Sequence, residues 1–131
     1  MVKLILITHG NLGQALLETV SNICCCAAES KITVLSVSGK VNLDETENKI
    51  KANSGQDGTL ILADTFGGTA CNLALKCAEG KDDVFVIPGV NLNMLLTAVH
   101  NQGKLGFKAL AEKIINDGKK AIFEATEFVK K

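Results

Sequence analysis

Tryptophan and tyrosine are absent from this 131-residue chain, and phenylalanine occurs only five times. With so few aromatic rings on which bases could stack, a platform for single-stranded nucleic acid is not expected. Net charge is missing as well. Fourteen basic residues balance fourteen acidic ones, so no global field draws the molecule onto nucleic acid or an anionic membrane. There is one proline, Pro88, and no low-complexity linker; residues 1–131 therefore read as a single domain. No apolar run approaches the length of a bilayer span, so no direct membrane insertion is expected. The N-terminal apolar stretch is too short for a signal peptide and lacks a small-residue cleavage site. The cytoplasm is the expected compartment.

Cysteine is present in a pattern that excludes its usual structural uses. Five residues, three of them contiguous at Cys24, Cys25 and Cys26, make a poor disulfide framework. No C-x-x-C pair occurs and neither histidine lies near the triplet, so no metal site is expected. Cys71 and Cys77, six apart on a predicted helix, are not expected to share a face. The simplest reading makes these thiols small buried hydrophobes in a reducing compartment.

What is present is a regular alternation. Strands are expected at 2–7, 32–36, 59–63 and 84–87, and the continuous apolar runs at 4–7 and 60–63 read as buried parallel strands. Helical patterns follow each of them, at 12–28, 43–52, 69–79 and 92–100. Asn42 is the expected N-cap of the second helix, with Glu45 as its N3 partner, and Gly80 ends the third. The order βαβαβαβα predicts an α/β, doubly wound, mainly parallel sheet with strand order 2-1-3-4 and helices on both faces. A last helix is expected near 105–116. The tail 118–131 is partly apolar at Phe123, Ala125 and Phe128 and should dock, as helix or strand.

Two loops carry the chemistry. The first strand runs into Thr8-His9-Gly10, placing His9 at a strand's carboxyl end, where open α/β sheets bind ligands. His9 is one of only two histidines, the side chain suited to chemistry near neutral pH. The other, His100, falls near a helix end, where a favourable dipole interaction is expected. The third strand runs into Asp64-Thr-Phe-Gly-Gly-Thr69. Gly67 and Gly68 permit positive φ and close backbone approach, Thr69 can cap the next helix, and exposed N–H groups there suit an anion. In the 2-1-3-4 order His9 and Asp64 face each other across one crevice. A carboxylate on one imidazole nitrogen fixes the tautomer and frees the other nitrogen to attack. The loop Pro88-Gly-Val-Asn-Leu-Asn-Met94 is expected to wall the same crevice, with Asn91 capping the helix after it. Taken singly, a histidine after a strand also serves as a local cap, an aspartate there is an ordinary cap, and Gly-Gly is no dinucleotide motif. Their convergence on adjacent strand ends makes the case.

Thr8-His9-Gly10, Asp64-Thr-Phe-Gly-Gly-Thr69 and Gly89-Val-Asn-Leu-Asn-Met94, in this order along the chain, resemble the mannose-family IIA component of the bacterial phosphoenolpyruvate:sugar phosphotransferase system. The resemblance spans essentially the whole chain. It implies a phosphotransferase in sugar transport, and relay chemistry at a strand end is expected to need no metal or cofactor. His9 would accept a phosphoryl group from the carrier HPr and pass it to a IIB component, with Asp64 as its partner and Gly67, Gly68 and Thr69 contacting the phosphoryl oxygens. It also implies a homodimer in which a C-terminal strand, placed at 118–123, is exchanged and pairs antiparallel at the sheet edge. The chain departs from the family in having Phe66 where Trp is frequent, Thr69-Ala70 for Ser-Pro, and Asn93 for Pro. Phe66 keeps an aromatic wall and Thr69 a hydroxyl. Three other readings compete: a regulatory sensor of phosphorylation state on the same fold, the related dihydroxyacetone-kinase phosphotransfer domain, and a small hydrolase. The last lacks a nucleophile elbow around Ser36 and Ser38.

Overall fold

In the computed structural model, which describes residues 1–24, 30–39 and 42–129, the continuous apolar runs become the centre of the molecule. Strand β1 (Lys3–His9) is buried at every position except its ends, and β3 (Thr59–Ala63) is buried throughout. Both lie inside a four-stranded sheet of order β2-β1-β3-β4, with β2 at Ile32–Val37 and β4 at Val84–Ile87. All pairings are parallel. The outer strands β2 and β4 are only partly buried, as expected where a neighbour is missing on one side.

The two-residue period of the strands divides the core. Leu4, Leu6, Leu60, Leu62 and Ile87 face one side and pack on α1 (Leu12–Ile23), α4 (Leu92–Asn101) and α5 (Phe107–Lys120). Ile5, Ile7, Leu35, Val37, Ile61 and Ala63 face the other and pack on α2 (Leu43–Ala52) and α3 (Thr69–Ala78). Full burial of each such leucine, isoleucine or valine side chain is worth about 1.5–3 kcal/mol. The helices after β1 and β3 thus lie on opposite faces, and a crevice opens between them at the carboxyl ends of the strands.

Local signals mostly operate as read. Asn42 caps α2 by accepting from the Glu45 N–H at 3.1 Å, while Glu45 pairs with Lys49 at 3.5 Å. Asn91 caps α4 by accepting from the Met94 N–H at 2.9 Å. Cys71 and Cys77 do share a core, contrary to the six-residue spacing argument. The buried face of α3 is wide enough, at Ala70, Cys71, Leu73, Ala74 and Cys77, to take both. Burial pushes the Cys77 thiol pKa up.

Helix α1 ends at Ile23, and Cys24 is already extended. Cys25, Cys26 and the expected helix end at 28 lie outside the described residues, as do 130 and 131. The segment 118–123 is not a strand in this chain. Gly118 continues the helical period of Leu110, Ala111 and Ile114 and lies inside α5, pressed against Met94. After α5 comes a short 3-10 turn, Ala125–Phe128, in which the Phe128 ring meets Phe123 edge-on at 5.4 Å. At the opposite end of the sheet, buried Gln102 accepts from the Lys31 N–H and donates to the Lys31 and Val2 carbonyls. No described helix is long and apolar enough to cross a membrane.

Candidate functional site

His9 is the last residue of β1, and Asp64 follows β3, whose register pairs Ile7 with Ala63. Adjacent parallel strands ending at one level bring the two side chains together. Asp64 Oδ2 accepts from the His9 main-chain N–H at 2.9 Å and lies 2.7 Å from His9 Nδ1. Its other oxygen accepts from the Thr65 N–H at 2.8 Å. The carboxyl side chain is 9% exposed and the imidazole 51%. Burial pushes the Asp64 pKa up, but the hydrogen bonds from the His9 main chain and ring and from Thr65, with the charge of His9, outweigh it and hold the carboxyl below its ordinary value. Asp64 is therefore an ionised, acceptor-only partner at neutral pH. In the neutral ring Nδ1 must then carry the proton, leaving the Nε2 lone pair unprotonated.

The loop between Asp64 and α3 supplies the surroundings. Gly67 adopts a left-handed φ of +86°, a conformation that glycine takes at no steric cost. Its carbonyl receives a weak bond from Asn72 Nδ2 at 3.4 Å. Gly68 has ordinary dihedrals but little room: a Cβ there would stand 2.9 Å from Thr65 Oγ1 and 3.0 Å from His9 Cε1. It is the N-cap of α3, one residue earlier than expected, and no side chain caps the helix. Thr69, expected as the cap, is instead the first helical residue, and its hydroxyl is not spent on capping. With His9 it lines a cavity of about 330 Å³ whose other walls are Val37, Ser38, Gly39 and Leu43. The first N–H groups of α3 have no partner further back in the helix. Together with the helix dipole they favour an anion.

His9, Asp64, Gly68 and Thr69 are therefore brought together, with Gly67 setting the turn beside them. Two expectations fail. The 88–94 loop is anchored beside β3 by the Val90 N–H on the Ala63 carbonyl at 3.0 Å. Yet it faces a separate cleft of about 140 Å³ with Gly118, Lys119 and Ile122. The reason is order: β4 lies beyond β3, away from β1. Phe66 does not wall the cavity either; it stands 79% exposed. The wall that sequence reasoning missed is the corner after β2, and the signal was available, because β2 is the other neighbour of β1. His100 closes α4 as an exposed residue of its last turn. Among the described residues, no group of three His, Cys, Asp or Glu is placed to hold a metal ion.

A parallel α/β sheet carrying a carboxylate-bound histidine beside a helix N-terminus defines a class of site suited to phosphoryl chemistry. The chain belongs to the EIIA-man family, described as the PTS system fructose IIA component, whose model matches residues 3–115. It is thus of the phosphotransferase-system IIA type. Solved structures agree. The mannose/sorbose-specific IIA subunit of the phosphotransferase system from Enterococcus faecalis is 28% identical with a TM-score of 0.78, covering 93% of this chain and 92% of that one. The phosphotransferase system component EIIA from Streptococcus agalactiae superposes with a TM-score of 0.83 at 22% identity, covering 97% and 99%. The IIA protein associated with the fucose utilization operon of Streptococcus pneumoniae gives 0.79 at 21% identity, covering 98% and 96%. No curated protein matches the sequence.

Proposed function

We propose that residues 1–131 form one phosphohistidine relay domain. It accepts a phosphoryl group from phospho-HPr on His9 and passes it to a IIB component during sugar uptake in the cytoplasm. The observation that carries this reading is the 2.7 Å contact of Asp64 with His9 Nδ1, made by a nearly buried carboxylate on a half-exposed ring. The Nε2 lone pair forms the new N–P bond as the donor's P–N bond breaks, its electron pair returning to the donor nitrogen. The proton on Nδ1 stays in the bond to Asp64, whose charge offsets the positive charge developing on the ring. The phosphoryl oxygens take hydrogen bonds from the Gly67, Gly68 and Thr69 main chain and from the Thr69 hydroxyl. Such transfer asks for positioning and electrostatic stabilisation more than for covalent machinery.

The same reading makes the protein a homodimer. It is supported by the position of β4 at the sheet edge and by the exposure of Ile122, Phe123, Phe128 and Val129 after α5. Incubation with phosphoenolpyruvate, enzyme I and HPr should label the protein with an acid-labile, base-stable phosphate. His9→Ala should abolish the label; a normally labelled variant contradicts the assignment.

A further inference from the structure

We propose that Ser36 is a positioning residue for phosphoryl transfer at His9, acting through the main chain of Gly10; the role rests on the relay reading above. The parallel register sets Ser36 opposite Thr8 and Val37 opposite His9. One residue further on, Gly10 turns left-handed with φ +53° and leaves the ladder. Its N–H still donates to the Val37 carbonyl at 2.9 Å, and its carbonyl accepts from Ser36 Oγ at 2.5 Å. Both polar groups of the residue after His9 are thereby tied to the end of β2.

The tie matters because, among the described residues, the only other hydrogen bond given to Gly10 is the one its N–H makes to Val37. Among the described residues, chain neighbours aside, no atom lies within 4 Å of the space a Cβ on Gly10 would fill, and glycine gives the turn the widest backbone freedom. On the other side of His9, buried Thr8 is already fixed, its Oγ1 accepting from the Gly13 N–H at 2.7 Å. Asp64 grips the His9 N–H and Nδ1. The Cα from which the ring projects is steered by the chain on both sides, and Ser36 adds the second tie, beside Val37, on the Gly10 side. The step it serves is the attack of the Nε2 lone pair on phosphorus, with the donor's P–N electron pair returning to the donor nitrogen. That step is sensitive to small misplacements of the attacking atom. Ser36 is exposed, so its hydroxyl adds little to global stability.

The test is single-turnover labelling with phospho-HPr, alongside amide exchange at Gly10 followed by NMR. In Ser36→Ala the transfer rate at saturating donor should fall about three- to tenfold. The donor concentration for half-maximal rate and the melting temperature should stay as in the wild type, and Gly10 exchange should accelerate. Ser36→Thr, which keeps the hydroxyl, should restore rate and protection. A Ser36→Ala protein that transfers at the wild-type rate, or whose defect Thr does not repair, overturns the role of Ser36 while leaving the relay intact. A wild-type protein that takes no phosphoryl group overturns the relay and this role with it.

Discussion

At His9, one carboxylate oxygen serves both the main-chain N–H and the ring, so Asp64 sets the position and the tautomer of the imidazole together. Asp64→Asn keeps the size but loses the charge that offsets a developing imidazolium. The expected outcome is a folded protein whose labelling rate drops at least about tenfold. The lowered Asp64 pKa has a second consequence. Because the carboxyl titrates below its ordinary 3.8 when folded, its contribution to stability is fully present above that value and is lost as pH falls through the folded pKa. The stability gap between wild type and Asp64→Asn, measured by urea unfolding, should therefore be larger at pH 7 than near pH 3. A gap that widens on acidification contradicts this account of the pair. Both residues were legible in the sequence, because each ends an apolar run and strand order alone makes those ends neighbours. The Thr69 cap was misplaced by one residue because Gly68 can cap with its main chain, and nothing in a Gly-Gly-Thr string distinguishes the two.

Elements pack here through close approaches that residue patterns do not display. Gly118 is buried in α5 against α4, where an added Cβ would lie 2.5 Å from Met94 Cγ and 3.0 Å from its Sδ. Gly118→Ala gains about 1 kcal/mol of helix propensity but overpacks the contact, which costs about 1–3 kcal/mol. We expect a net loss of stability in urea unfolding. Trimming Met94 to Ala should cost less in the Gly118→Ala background than in the wild type, a coupling read from a double-mutant cycle. Additive losses would mean that the two side chains do not compete for space. Gln102 joins the end of α4 to the chain entering β1 and β2. Replacing it with Ala strands the Lys31 N–H and the Val2 carbonyl and should cost about 1–3 kcal/mol; an unchanged urea midpoint would argue against the role. The hydrophobic period located the strands and most helices, since burial on one or two faces dictates it. It did not reveal Gln102 or Gly118, whose roles depend on partners distant in sequence. It also stopped α5 short, because a glycine inside a helix reads as an end unless the packing opposite is known.

For the whole molecule, the neutral charge balance and the parallel sheet leave association to apolar surface and strand edges. Strand β4 is at the sheet edge, and the residues after α5 expose several large apolar side chains. Exposed edges and apolar tails of this kind favour self-association. Sedimentation should report a dimer, and a chain ended after Ala121 should sediment as a folded monomer; a wild-type monomer at micromolar concentration contradicts the dimer. The fold class and strand order were readable because each strand–helix alternation leaves few topologies. The C-terminal segment was not, because its apolar residues fit helix and strand alike.

With Nδ1 held by Asp64, phosphate on His9 is expected at Nε2. Phosphorus-31 and nitrogen-15 NMR of the protein phosphorylated with phosphoenolpyruvate, enzyme I and HPr locates the bond. One phosphoramidate, coupled to Nε2 of His9, is expected. A phosphate on Nδ1 or on another residue, or no phosphate at all, would rule out this role for the Asp64–His9 pair.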